Sequence, residues 1–279
     1  MVGGKAGMIR LIASDVDGTI LPRGGQISER TRAAVRGCAD AGIPFVISSG
    51  RWFVSAKAIA DALGMESGWM IIANGGAVAD MAGNVLHEWR LGPEQAREIY
   101  EIARKEDVMI NAFVRNAVYR VNTAALSRPV KGLGDYLGGA YHMVNDDRAL
   151  FEREGLTAPY KIEVYSDGPE PLERLRAIFL EMGYSVSSAY ETNIEVMALG
   201  CGKGTALKWL AGTLDIDLRD CMAFGDNSND LSMLSCAGWP VAVENAVDEL
   251  KRAARIIAPD CALDGAAQVI EQVLRGEIQ

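Results

Sequence analysis

The chain has 279 residues, 49% of them apolar and 23% charged, with a net charge of -9. That is ordinary for a folded chain of one large or two medium domains. The charge excludes a general nucleic-acid or anionic-membrane binder, which would need a basic face.

The first third alternates strands and helices. "MIRLIAS" reads as a buried strand, "SERTRAAVRGCADAG" as an amphipathic helix capped by Ser28 and stopped at Gly42, and "IPFVISS" as a second strand. "WFVSAKAIADALG" is a helix and "WMIIANGG" a third strand. Unalternating apolar strands separated by helices indicate a parallel sheet covered on both faces.

After Gly76 the style changes. "AVADMAGNVLHEWRL" predicts a hairpin turning at Gly83-Asn84, followed by a helix from about Pro93 to Glu106 and strand-like alternation around Arg115-Asn116. "YKIEVYSDG", "PLERLRAIFLEMG" and "YSVSSAYETNIEVMAL" continue an α+β pattern. From Lys203 the first style returns, through "KGTALKWLAGTLDI", "CMAFGD", "DLSMLSCAG", "WPVAVEN" and "VDELKRAARI". The sequence thus predicts a parallel α/β core split by an α+β insert of roughly a hundred residues, which begins after Gly76 and ends before about Lys203.

No apolar run approaches the roughly 18 residues of a membrane helix, and the apolar stretch before Asp15 is too short for a secretory signal, so a cytoplasmic location is expected. Five scattered cysteines (Cys38, Cys201, Cys221, Cys236, Cys261), with no CxxC, read as reduced, mostly buried small hydrophobes. His87 and His142 are the only histidines, which disfavours a histidine triad or a histidine-rich metal site.

Three short loops follow core strands: "SDVDGT" at 14–19, "SSGR" at 48–51 and "GDNSND" at 225–230. Ligands bind beyond the carboxyl ends of strands in open parallel sheets, so one rim should gather Asp15, Asp17, Ser49, Asp226, Asn229 and Asp230. Carboxylates brought so close repel one another and require a cation; an all-oxygen set with open positions suits Mg2+. Lys203 lies between glycines at a helix start, where it suits an anion such as phosphate, and Ser49 and Gly50 offer a hydroxyl and an unhindered N–H to the same oxygens. A carboxylate attacking phosphorus there would form an aspartyl phosphate that water then hydrolyses.

Taken singly, each aspartate is more often a turn or cap residue. "DVDG" fails as an EF-hand because the fifth and twelfth positions are Thr19 and Gln26, and "GCGKGT" fails as a P-loop because its first glycine falls on Met197 and Gly204 replaces the Ser/Thr. The ordered set of four is what points to chemistry.

That set resembles the haloacid dehalogenase superfamily, in particular Cof-type phosphatases with a type IIB cap. Asp15-Val16-Asp17-Gly18-Thr19 matches the first motif, Ser49-Gly50-Arg51 the second, Lys203 within "KGTAL" the third and Gly225 to Asp230 the fourth; "IIANGGAV" and the "DELKRAA…DGAA" tail also follow the pattern. The resemblance implies Asp15 as nucleophile and Asp17 as general acid and then base. It implies Mg2+ held by Asp15, the Asp17 carbonyl, Asp226 and Asp230. Ser49 and Lys203 would bind the phosphoryl group with support from Asn229, and Gly50, Arg51 and the loop at Arg115 would contact substrate. The resemblance implies a Rossmann-like, doubly wound core over residues 1–81 and 193–279, with the insert over 82–192 as an α+β cap that closes over the site and selects the substrate. Two positions depart from the family: Ser49 stands where Thr is usual, and Glu244 where Gly is common.

The implied activity is Mg2+-dependent hydrolysis of small phosphorylated metabolites, sugar phosphates leading, by a monomer or homodimer. A phosphomutase and a non-catalytic phospho-ligand sensor are the alternatives.

Overall fold

The computed structural model describes residues 8–114, 117–122, 141–145, 158–188 and 191–278. Strands β1 (Leu11–Ser14), β2 (Phe45–Ser48), β3 (Trp69–Ile72), β4 (Ala77–Asp80) and β5 (Val85–Glu88) join β12 (Cys221–Gly225), β13 (Trp239–Val243) and β14 (Ile256–Ala258) in one sheet. Its order is β14-β13-β12-β1-β2-β3-β4-β5. All pairings from β14 to β3 are parallel, and β4 and β5 finish the edge antiparallel. The chain winds outward from β1 in one direction and from β12 in the other. The switch point therefore lies between β1 and β12, where an open sheet leaves a crevice.

Except for the last, at Gly265–Leu274, the α-helices form where the sequence pattern places them. In α1 (Glu29–Asp40), Thr31, Ala34, Val35 and Cys38 are buried at i, i+3, i+4 and i+7, and Ser28 Oγ accepts from Thr31 N at 3.0 Å. This helix packs on α8 (Gly265–Leu274), where Arg30 pairs with Glu271 through two 2.7 Å bonds. Between them in chain order come α2 (Phe53–Ala62), α3 (Pro93–Ala103), α4 (Pro169–Glu181), α5 (Lys203–Thr213), a short α6 (Leu231–Leu234) and α7 (Asp248–Ala253). The result is a doubly wound α/β fold. Cys38, Cys201, Cys221 and Cys261 are buried, and burial pushes each thiol up to about 12, which makes them unreactive apolar filling. Among the described residues no helix is long and apolar enough to cross a membrane.

A second sheet has the order β10-β11-β9-β6-β7-β8, formed by β6 (Met109–Val114), β7 (Ala117–Asn122), β8 (Tyr141–Asn145), β9 (Lys161–Tyr165), β10 (Ser185–Ser187) and β11 (Asn193–Met197). Ile110, Ala112, Ile162, Val164, Ile194 and Val196 face α3 and α4 in a separate apolar cluster. Both edges of the expected insert move. β5 is hydrogen-bonded into the first sheet, so residues 82–88 stay with the core strands. β11 belongs to the second sheet, so the return comes after Met197 rather than at 193. A period-two pattern identifies a strand but not the sheet edge that receives it.

Candidate active site

At the end of β1, Asp15 N donates to Phe224 O at 3.0 Å, which carries the β1–β12 pairing one residue past the strand and fixes the start of the loop. The chain then turns tightly, with Thr19 N and Leu21 N both donating to Val16 O. Gly18 has φ +90, and a Cβ there would lie 2.4 Å from Asp226 Oδ2; only glycine lets the two loops approach so closely. Asn245 Nδ2 braces the turn by donating to Gly18 O at 2.8 Å.

Asp15, Asp226 and Asp230 are buried and converge, each offering a carboxylate oxygen within 4.8 Å of the others. Lys203, the first residue of α5, is fully buried; its Nζ lies 2.6 Å from Asp15 Oδ1 and 2.6 Å from Asp230 Oδ1. The other oxygen of Asp230 accepts from Asp226 N at 3.0 Å and Asn227 N at 3.1 Å. Thr19 Oγ1 stands between Asp15 Oδ2 (3.4 Å) and Asp226 Oδ1 (3.3 Å).

Electrostatics follow from this geometry. Burial, aided by Asp230, Asp226 and Asp17 and opposed by Lys203, raises Asp15 well above the usual carboxylate value. Burial and then Asp230 push Asp226 up to about 7. Burial works against the charge on Lys203, but Asp15 and Asp230 outweigh it and hold the ammonium above its ordinary value. Were all three carboxylates ionised beside the one ammonium, two negative charges would be left in excess. An all-oxygen set with that excess fits a hard divalent cation.

Asp17 stands apart from the converging carboxylates. Arg51 clamps its side chain with Nε and Nη2, while Arg51 Nη1 donates to Ser55 Oγ at 2.8 Å. Ser49 is buried, and its Oγ accepts from Arg51 N at 3.2 Å. Asn229 lies beside Asp230, with its Nδ2 donating to Asn74 Oδ1 at 3.1 Å. Sequence reasoning assigned no role to Thr19, Asn74 or Arg23, whose Nη2 lies 3.9 Å from Asp226 Oδ2. Thr19 and Asn74 fell inside quoted motifs, whereas Arg23 carried no signal. Glu244 is 63% exposed and pairs with Lys251 at 3.4 Å, so its charge points into solvent. Arg115 lies outside the described residues.

Fold and site together define a doubly wound α/β hydrolase with carboxylates gathered at its switch point. The family model for haloacid dehalogenase-like hydrolases matches residues 12–270, and the chain belongs to that family. It is 29% identical over 294 residues to 5-amino-6-(5-phospho-D-ribitylamino)uracil phosphatase YwtE of Bacillus subtilis, covering 96% of this chain and 99% of the relative. It is 30% identical over 249 residues to the HMP-PP phosphatase of Yersinia pestis, covering 88% of this chain and 87% of the relative. A solved haloacid dehalogenase-like hydrolase from B. subtilis superposes with a TM-score of 0.85 at 28% identity, covering 94% of this chain and 99% of that one. The protein is a phosphoric monoester hydrolase.

Proposed function

We propose that the protein is a Mg2+-dependent phosphatase of small phosphorylated metabolites, sugar phosphates leading, that works through an aspartyl phosphate on Asp15. The observation that carries this reading is the position of Asp15 at the sheet's switch point, held by Lys203 beside Asp226 and Asp230. Asp15, Asp226, Asp230 and the Asp17 carbonyl would hold the Mg2+. When bound, the ion neutralises charge on the phosphoryl group and the nucleophile.

An oxygen of Asp15 attacks phosphorus while Asp17 gives its proton to the departing alkoxide. Asp17 then takes a proton from water as that water attacks the aspartyl phosphate, which restores both carboxyl groups and releases phosphate. Lys203 and Ser49 steady the phosphoryl oxygens, and phosphoryl transfer needs little beyond such positioning and charge neutralisation. The Arg51 guanidinium exchanges Asp17 for the substrate phosphate, which frees the acid for its task. The second sheet and its helices serve as the cap that excludes water and selects the leaving group. The relatives named for 5-amino-6-(5-phospho-D-ribitylamino)uracil and for HMP-PP support testing those two compounds beside sugar phosphates.

The test is phosphate release from sugar phosphates, nucleotides, the two relatives' substrates and 4-nitrophenyl phosphate, with Mg2+, with chelator and with Asp15→Asn. Metal-dependent release lost in Asp15→Asn is expected. Release that survives in Asp15→Asn would overturn the assignment of the nucleophile.

A further inference from the structure

The loop after β3 carries "ANGG" at 73–76, which the phosphatase reading leaves without a part. Its backbone is left-handed at three successive residues, with φ 51 at Ala73, 57 at Asn74 and 93 at Gly75. Such a run is unfavourable for L-residues and persists only where the surroundings enforce it. Here the surroundings are three loops of the site. Ala73 N donates to Arg51 O at 2.8 Å and Asn74 N to Ser49 O at 3.0 Å. A Cβ on Gly75 would lie 2.3 Å from the carbonyl of Gly202, so the loop rests on the turn that delivers Lys203. Asn74 Oδ1 receives Asn229 Nδ2.

The remaining arm of Asn74 leaves the first sheet: its Nδ2 donates to Glu195 Oε2 on β11. Glu195 belongs to a cross-strand row, Arg120–Asn111–Glu163–Glu195–Ser187, in which the first four are buried. Lys161 Nζ lies 2.5 Å from Glu195 Oε1 and 2.6 Å from Glu163 Oε1, and Ser187 Oγ donates to Glu195 Oε2 at 3.1 Å. Burial opposes ionisation of Glu195, but Lys161 and these hydrogen bonds outweigh it and hold the carboxyl below its usual value.

An ionised carboxylate only accepts, and this sets the direction of the whole chain. Asn74 turns its NH2 to Glu195 and its oxygen to Asn229. Asn229 turns its NH2 to Asn74, which leaves Asn229 Oδ1 buried and without a partner among the described residues.

We propose that Asn74 is a positioning residue that transmits the seating of the second sheet to the phosphate site, fixing Asn229 so that its free atom is an acceptor. Asn229 then receives a proton-bearing group, a water or a substrate hydroxyl, rather than donating to a phosphoryl oxygen. The inference rests on the phosphatase reading of the rim and revises the supporting part that the family resemblance gives to Asn229.

The polarity can be reversed by one isosteric change. In Glu195→Gln the single remaining oxygen stays with Lys161, and the new NH2 faces Asn74. Asn74 and Asn229 then both flip, and Asn229 presents its NH2. The probe is inorganic phosphate, titrated calorimetrically into the full chain with Mg2+. Phosphate is expected to bind about threefold tighter to Glu195→Gln, the gain of one modest hydrogen bond, and the gain is expected to vanish in Glu195→Gln/Asn229→Ala. With 4-nitrophenyl phosphate, kcat of Glu195→Gln falls about tenfold. Asn74→Gly keeps the left-handed backbone and frees Asn229 to turn, so it shifts phosphate affinity in the same direction. Phosphate binding unchanged or weakened in both Glu195→Gln and Asn74→Gly overturns the relay alone. A wild-type chain that neither binds nor releases phosphate overturns the phosphatase reading, and the relay with it.

Discussion

Arg51 grips both carboxylate oxygens of Asp17, with Nε 2.8 Å from Oδ2 and Nη2 2.6 Å from Oδ1. The pair joins the loop after β2 to the loop after β1 and holds the proposed acid away from the three converging aspartates. A guanidinium makes this fork and an ammonium does not. Arg51→Lys is therefore expected to lower kcat/KM for 4-nitrophenyl phosphate about tenfold, equivalent to about 1.4 kcal/mol. Steady-state kinetics at saturating Mg2+ measure this, and an unchanged kcat/KM would show that the fork is dispensable.

The Asp15–Asp226–Asp230 cluster should make stability respond to the metal. At about 100 times its dissociation constant, Mg2+ is expected to add about 2.7 kcal/mol to unfolding free energy. Asp226→Asn removes one of the three converging carboxylates and should abolish most of that gain. Thermal unfolding of both proteins with Mg2+ and with chelator is the measurement.

Gly18 and Asp226 cannot both keep their places once a side chain is added. A Cβ at Gly18 would sit 2.4 Å from Asp226 Oδ2, in a backbone conformation that L-residues seldom adopt. Gly18→Ala should cost about 1–3 kcal/mol of stability. It should also displace Asp226, so the Mg2+ shift of the melting temperature shrinks with activity. A folded Gly18→Ala with the wild-type Mg2+ response would contradict the close approach.

Glu163 gives the protein a pH signature away from the metal cluster. Burial pushes its carboxyl up to about 7, opposed by Lys161 and reinforced by Glu195. The folded state therefore holds a proton that the unfolded chain releases near its ordinary value of 4.5. The stabilisation is complete below that value and is lost as pH rises through about 7, by at most about 3 kcal/mol. Glu163→Gln keeps a neutral group and should be more stable than wild type at pH 8 but equal to it at pH 4.5. Urea unfolding at the two pH values decides, and a gain that does not depend on pH would refute the titration.

Much of the site was legible because its loops are local. Each follows an apolar strand directly, so Asp15, Ser49 and Asp226 could be set on one rim before any packing was known. Ser28 as helix cap and the turn at Gly83-Asn84 were legible for the same reason: their hydrogen bonds span only a few residues. β8, β14 and the terminal helix α8 were not foreseen. β14 has three residues and takes its ladder from β13, so little local signal marks it, whereas α8 has Ala266, Val269, Ile270 and Val273 buried at i, i+3, i+4 and i+7, a helical spacing that was legible in the sequence.

The sequence by itself determined the parallel core, the order of its four chemical motifs and the alternation of "KIEVY" and "NIEVM", because periodicity and turn chemistry act over a few residues. Only the tertiary structure decided which edge received the β4–β5 hairpin, that Arg51 holds Asp17, and that Asn74 reaches Glu195 121 residues away. Alternation says which side chains share a face. What covers that face, and whether a buried charge meets a partner there, depends on segments distant in the chain that meet only when the two sheets come together.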